Sequence, residues 1–546
     1  MHSRTKRSVF IFFKAAIILI VCVQLLRGAL FVADHPVPFD ADEAHHASRG
    51  LDVYQAVLSG DGVWRSIRTQ SFYPPLHSFV VASSYLLSGG PGLTSSRVCS
   101  LAPLIIGLIF LCAATSRTAR QIVGSYSGAQ SIAPLFAIVL AASSPLIFAN
   151  SLLSMPESLG FCLSALLLDV VTRIESQGGP RPRSLLCLAA IAGALSLTKY
   201  AYGFFTVPAL VAALVVWKPE SHRSLRAPFL FLLSFGVILG IWCLATNPES
   251  LWYYLFGHKE RSLIFSAQKL IFYPSAFLSE GVLHPVIGAV VVGLGAVACF
   301  RYHSMLSILV ALFAALAPHV ILGVSEEQGS RHIIPSLAFV WYLGSIGLVS
   351  IGAHLSQRLK SFIQLFAVIS LSLYFLHTTP RILSFTERML ETNNDYLAIS
   401  DDMVQRLGCQ HPILMLGRGD GFSAQWVRWY VAVRCNVKLV DVIVDPYPFS
   451  PLAFNKARRT GAPIARAYLD SAFPQEPLAD VLNTGYYRGL IAFSQRNEPG
   501  EFKKLALPQI KERFPSFLSE HGPRRLLIMP LPQESHGNKD QSLSIR

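Results

Sequence analysis

The chain has 546 residues, of which 14% are Asp, Glu, Lys or Arg and 52% are hydrophobic. Soluble proteins carry roughly 25% charged residues, and with a mean hydropathy of +0.45 the deficit excludes a cytosolic enzyme and marks a polytopic membrane protein. The net charge of +14 does not point to nucleic acid: no nucleic-acid-binding motif accompanies it, and membrane proteins gather Lys and Arg in their cytoplasmic loops.

In chain order, the first apolar segment covers residues 9–33 behind Arg4, Lys6 and Arg7. It exceeds the apolar core of a secretory signal, and no small-x-small site precedes Asp34, so a retained anchor is expected. Further apolar spans lie near 98–115, 131–149, 158–174, 185–200, 204–217, 228–246, 281–300, 304–323, 333–352 and 362–378. With the first, that predicts about eleven transmembrane helices over residues 1–378. A cytoplasmic amino terminus puts fourteen Lys and Arg on the inner segments and nine on the longer outer ones, which favours that orientation and sends the tail outside. Two outer segments, 34–97 and 247–280, are long. Within them, residues 251–256 are aromatic enough for the headgroup layer, and residues 76–87 are too short to cross.

Charges return after residue 378, and a soluble α/β domain is expected over 379–546. Ile413 to Leu416 reads as a strand, Phe422 to Val433 as a helix and Lys438 to Val444 as a second strand, one βαβ unit. Parallel pairing would bring Cys409 and Cys435 to one sheet edge, where an oxidising compartment allows a disulfide. The other seven cysteines lie in or beside apolar runs and read as packing residues. The Gly417-Arg418-Gly419-Asp420-Gly421 segment lacks the spacing of a dinucleotide loop and reads as a turn. The last dozen residues read as disordered.

Polar residues at membrane boundaries are costly, so their placement is informative. They collect at the outer ends of the spans. Asp40, Asp42 and Glu43 precede His45 and His46; crowded carboxylates near a low-dielectric surface raise one pKa and suit a proton acceptor, although a solvated acidic loop has the same composition. Ser71 to His77 contains the rigid Tyr73-Pro74-Pro75 turn. Glu157, Lys199, and Glu326, Glu327, Arg331 and His332 mark three more outer boundaries. Each alone could be interfacial snorkelling. Together, carboxylates with Lys199, Arg331 and Lys259 or Arg261 can bind a phosphate and accept a proton.

The run Asp42-Glu43-Ala44-His45-His46-Ala47, then Gly60-Asp61, Tyr73-Pro74-Pro75-Leu76 and Arg97, resembles the first outer loop of the GT-C membrane glycosyltransferases. The nearest groups are the protein O-mannosyltransferase and ArnT-like enzymes and the RgtA/B/C/D-like domain. Ala142-Ser143-Ser144-Pro145, Glu157, Leu197-Thr198-Lys199 and Arg331-His332 with Pro335 continue the resemblance in the same order. It implies transfer of a sugar from a polyprenyl-phosphate donor to a lipid, glycan or protein acceptor on the outer side, with inversion. Asp42 would be the catalytic base, supported by Glu43. His46, Tyr73, Pro74, Glu157, Lys199, Arg331 and His332 would bind substrate, with Lys199 and Arg331 facing the phosphate. The resemblance implies no metal and no other cofactor. Two positions depart from the ArnT-like pattern: Tyr73 stands where a basic residue is common, and Glu157 where Asp is.

A transporter or lipid flippase is the alternative, for which midplane polar residues and two related halves would be expected. A non-catalytic membrane scaffold is another. The expected location is a bacterial inner membrane, with the site and the tail facing outside.

Overall fold

The computed structural model describes residues 22–33, 41–60, 62–64, 74–123, 129–217, 225–245, 267–282, 284–321, 329–353, 395–409, 411–416, 422–447, 486–495, 516–521 and 524–531, with single positions between them. The chain divides into two compact units, residues 1–36 with 56–390 and residues 37–55 with 391–546. Tyr73, Asp40, Lys259, Arg261, Glu326, Glu327, the 251–256 segment, the 417–421 turn, most of the 362–378 span and the last dozen residues lie outside the described residues.

The first unit is helical. Its elements are α1 (Cys22–Ala33), the end of α2 (Ala41–Ser59), α3 (Leu76–Leu87), α4 (Leu93–Val123), α5 (Ala129–Ala142), α6 (Pro145–Ser151), α7 (Glu157–Ser176) and α8 (Pro182–Thr198). They continue with α9 (Tyr200–Val216), α10 (Arg226–Ala245), α11 (Ala267–Ala276), α12 (Pro285–Arg301), α13 (Leu306–Ile321) and α14 (Ile334–Ala353). Among the described residues, Leu93–Val123, Arg226–Leu244 and Ser330–Ala353 are each long and apolar enough to cross a membrane, and up to five spans result if each bent pair counts as one.

Several expectations about the spans need correction. The 131–149 stretch is not one helix: α5 and α6 meet at a 63° bend. Pro145 has no N–H to continue the ladder, and Ser144 caps α6 by accepting from the Ile147 N–H at 3.5 Å. The 281–300 stretch is helical only from Pro285, with residues 277–281 forming a separate π turn. The 158–174 and 204–217 stretches belong to the helices Glu157–Ser176 and Tyr200–Val216, which begin earlier than expected.

Helix α7 organises the bundle, packing on α4, α8, α13 and α14. The α4 crossing is close because a Cβ at Gly107 would stand 3.0 Å from the Cα of Cys162; small residues let membrane helices approach in this way. Both ends of α7 are polar. Near its carboxyl end Asp169 pairs with Arg117 at 2.8 Å and Arg173 at 2.6 Å. Glu175 there accepts from the Leu306 N–H at 2.8 Å and the Ser307 hydroxyl at 2.6 Å, closing the start of α13. Glu157 opens the other end. Eighteen residues of helix separate the two glutamates by about 27 Å, close to the roughly 30 Å thickness of a hydrocarbon core.

The second unit holds a five-stranded sheet in the order β2-β1-β3-β5-β4, built from β1 (Ile413–Leu416), β2 (Val444–Tyr447), β3 (Gly489–Gln495), β4 (Phe517–His521) and β5 (Arg524–Pro530). Strand β1 pairs in parallel with β2 and β3, and β5 is antiparallel to β3 and β4. Helix α15 (Ala424–Arg434) links β1 to β2 as the expected βαβ unit. Cys409 and Cys435 form a disulfide. The second strand starts later than the sequence suggests. Arg428 donates to the carbonyls of Leu439 (2.9 Å) and Val442 (2.9 Å), which holds that stretch as a turn.

Candidate active site

Glu157 is the first residue of α7, where a helix N-terminus favours a carboxylate. The loop before it is fixed by Ser100 of α4, whose hydroxyl donates to the Met155 carbonyl at 3.0 Å and accepts the Met155 N–H at 3.1 Å. The Glu157 side chain has no solvent exposure. A buried carboxylate needs partners, and two cations supply them: Lys199 Nζ lies 3.1 Å from Oε1 and Arg331 Nε 3.8 Å from the same oxygen. Oε2 has no hydrogen-bond partner among the described residues.

Lys199 reaches this point because it is the single extended residue between α8 and α9 (φ −157°, ψ 127°). Its N–H donates to Leu195 and its carbonyl accepts from Tyr202, so the break costs neither group its partner. The ammonium also stands 5.7 Å from the centre of the Tyr202 ring. Arg331 and His332 come from the 3₁₀ turn Ser330–Ile333 that leads into α14. The His332 ring feels the charges of Lys199 and Glu157.

Three elements of the cluster are held together one helical turn below Glu157. A Cβ at Gly160 would stand 2.6 Å from Tyr202 Cε2 and 2.8 Å from Pro335 Cγ, so only glycine lets α7, α9 and the start of α14 meet there.

His77 completes the cluster from α3, whose 12 residues cover about 18 Å and cannot cross a bilayer. It is buried. Burial pushes its imidazole down to about 4, opposed by the Glu157 charge and the Ser154 backbone. The ring is therefore neutral at physiological pH. Pro74 and Pro75 are buried and lead directly into this turn.

The structure thus brings Glu157, Lys199, Arg331 and His332 together around one buried carboxylate. His77, Ser100 and Gly160 belong with them, and sequence reasoning did not assign them. A histidine in the first turn of an apolar helix was the available signal for His77. Ser100 and Gly160 gave none.

The remaining residues lie on α2, in the second unit. Asp42 is exposed, Glu43 is fully buried and His46 is half-buried. His45 sits beside them, where burial, with Arg49 and Arg428 nearby, holds its imidazole well below the usual range. Among the described residues no three His, Cys, Asp or Glu side chains converge as metal ligands would.

A buried carboxylate balanced by two partly exposed cations can present positive charge to an anionic group while remaining neutralised in its absence. Residues 73–245 match the family described as dolichyl-phosphate-mannose-protein mannosyltransferase. Comparison with curated proteins gave no match. Among solved structures, ArnT from Cupriavidus metallidurans superposes with a TM-score of 0.59 at 15% identity, covering 94% of this chain and 98% of ArnT. The same enzyme bound to undecaprenyl phosphate gives 0.59 at 13% identity, with 95% and 97% covered. The oligosaccharyltransferase of Archaeoglobus fulgidus gives 0.55 at 10% identity, covering 95% of this chain and 75% of that one. These similarities show that the chain has the fold of the GT-C membrane glycosyltransferases.

Proposed function

We propose that the protein transfers a hexosyl or pentosyl group from a polyprenyl-phosphate donor to an acceptor at the outer face of a bacterial inner membrane, with inversion. The observation that carries this reading is the Glu157–Lys199–Arg331 cluster at the polar end of a bilayer-length helix, where the phosphate of a lipid-linked donor would lie. The resolved complex of ArnT with undecaprenyl phosphate supports a donor of that class.

In this reading Asp42 takes the proton from the attacking hydroxyl or amine of the acceptor. The acceptor atom forms its bond to the anomeric carbon as the bond from that carbon to the phosphate oxygen breaks. The electron pair leaves with the polyprenyl phosphate, whose developing charge Lys199 and Arg331 stabilise. Glu43 supports the base from α2, and His46, Tyr73, Pro74, Glu157 and His332 are assigned to substrate binding. No metal or cofactor is assigned. About eleven membrane spans accompany the site.

The test is to incubate the purified chain with a panel of polyprenyl-phosphate sugars and to follow carrier release and product by mass spectrometry. Transfer should occur from one of them and fall by roughly 10²–10⁴-fold in Asp42→Asn, the contribution of a general base. Transfer only from nucleotide sugars would overturn the donor assignment. Orientation is read by impermeant thiol labelling of Ser88→Cys and Gln177→Cys, both exposed, in a chain lacking the exposed Cys22 and Cys187. The two positions should label from opposite sides.

A further inference from the structure

Helix α2 carries Asp42, Glu43 and His46 in its first turns, and Gln55 lies thirteen positions beyond Asp42 on the same helix. The Gln55 carboxamide is used at both ends: Nε2 donates to the Val437 carbonyl at 3.0 Å, and Oε1 accepts the Leu439 N–H at 2.8 Å. A side chain that satisfies an acceptor and a donor two residues apart on one strand of backbone fixes position and direction together. All these residues belong to the same compact unit.

The segment that Gln55 grips is itself immobilised from three directions. Helix α15 ends in a Schellman motif, with the Val437 N–H donating to Ala432 at 3.1 Å and the Asn436 N–H to Val433 at 3.4 Å. Asn436 occupies the left-handed position that this motif requires, at φ 51°. Cys435, the residue before it, is tied by the disulfide to Cys409 ahead of β1. Arg428 then holds the carbonyls of Leu439 and Val442. The loop is a rigid anchor, and Gln55 reads it from α2 through directed hydrogen bonds at both ends.

We propose that Gln55 is a positioning residue for α2, clamping the helix that carries the base to the carboxy-terminal βαβ unit so that Asp42 is held at a fixed place. This rests on the reading of Asp42 as the base. Thirteen helical positions span about 20 Å, so a tilt of about 3° at the clamp displaces Asp42 by about 1 Å. Displacements of that size cost roughly 10²-fold in rate when reacting groups must be aligned. Donor affinity is assigned to Lys199 and Arg331, which lie on other elements, so loss of the clamp acts on turnover.

Gln55→Ala removes both bonds, whereas Gln55→Glu keeps the size and the acceptor for Leu439 N–H but sets a carboxylate against the Val437 carbonyl. The experiment measures donor kcat and KM for both variants in the full chain, with amide hydrogen exchange across residues 41–55. Expected are a ten- to hundredfold fall in kcat for Gln55→Ala, a smaller fall for Gln55→Glu, an unchanged donor KM, and exchange over 41–55 about tenfold faster. If Gln55→Ala does not accumulate, the same readings on Gln55→Glu decide. Wild-type transfer that the variants leave intact overturns the clamp, whether or not exchange rises, as does a change in KM alone. Absence of transfer by the wild-type chain from every polyprenyl-phosphate sugar overturns the proposed function instead.

Discussion

Lys199 Nζ lies 3.1 Å from Glu157 Oε1, with the lysine side chain 13% exposed and the glutamate not exposed at all. Removing one partner of such a pair leaves a charge where water cannot reach it. Arg331, at 3.8 Å and with its side chain 33% exposed, compensates only in part. Lys199→Met is therefore expected to destabilise the bundle toward the lower end of the roughly 3–5 kcal/mol seen when a buried pair is broken. Glu157→Gln with Lys199→Met should recover most of that loss, since the buried carboxylate is gone and the Arg331 side chain, 33% exposed, keeps access to water. Unfolding midpoints in detergent for the two single variants and the double variant measure the coupling. Additive losses would mean that the pair is not energetically linked.

Glu157→Gln alone should act differently on donor and product. The carboxylate shares both cations, so neutralising it leaves Lys199 and Arg331 with uncompensated positive charge. Under the proposed function, polyprenyl phosphate should then inhibit more strongly, by about tenfold for roughly 1.4 kcal/mol of added attraction, and turnover should fall through slow product release. Inhibition curves with polyprenyl phosphate check this, and weaker inhibition would remove the two cations from the phosphate side.

Gly160 supplies a geometric test of the same cluster. Its hypothetical Cβ meets Tyr202 and Pro335 at 2.6 and 2.8 Å, neither of which is the end of a flexible chain. Gly160→Ala should cost about 1–3 kcal/mol, as overpacking does, and Gly160→Val should cost more. Gly236, on α10, has nothing within 4 Å of its own Cβ position; Gly236→Ala is the control and should be neutral or stabilising by up to about 1 kcal/mol. Thermal unfolding of the three variants gives the order, and an unaffected Gly160→Val would mean that α7, α9 and α14 do not meet there.

The residues that could be read from the sequence are those whose chemistry is unusual for their surroundings. Glu157, Lys199, Arg331 and His332 stand out because charges at span ends are rare in a chain with only 14% charged residues. The βαβ unit was legible for a similar reason: the apolar run of β1 and the helical period of α15 are distinct, with the polar sequence Gly417 to Gly421 between them. What was hidden depends on contacts between distant segments. Ser100 is one serine among many until Met155 is folded against it. The break after Ala142 looks like an uninterrupted apolar run unless the serine pair before Pro145 is taken as a cap. The start of β2 is delayed by Arg428, a side chain from the preceding helix, which no local pattern announces.

The disulfide between Cys409 and Cys435 closes a sequence separation of 26 residues. Chain entropy assigns about 3.5 kcal/mol to a loop of that length. Cys435→Ser should lower the stability of the carboxy-terminal unit by up to that amount. Because Cys435 adjoins the loop that Gln55 grips, amide exchange in residues 41–55 should rise in the same variant. Exchange and unfolding measured with and without reductant provide the check: reductant should reproduce the variant in the wild-type chain and change nothing further in Cys435→Ser.

His45 gives the second unit a pH dependence whose sign is fixed by its surroundings. Burial first, then the charges of Arg49 and Arg428, hold the folded imidazole well below 6.5, while in the unfolded chain it titrates near 6.5. The unfolded state therefore binds a proton that the folded state refuses as pH falls through about 6.5. The stabilisation is fully present above that value and is lost progressively below it, at no more than about 1.4 kcal/mol per pH unit for one group. His45→Gln removes the titrating ring and keeps a neutral polar side chain, so its unfolding midpoint should lose less between pH 7.5 and 5 than that of the wild type. Parallel curves for the two proteins over that range would show that His45 takes up its proton equally in both states and that the two arginines do not act on it.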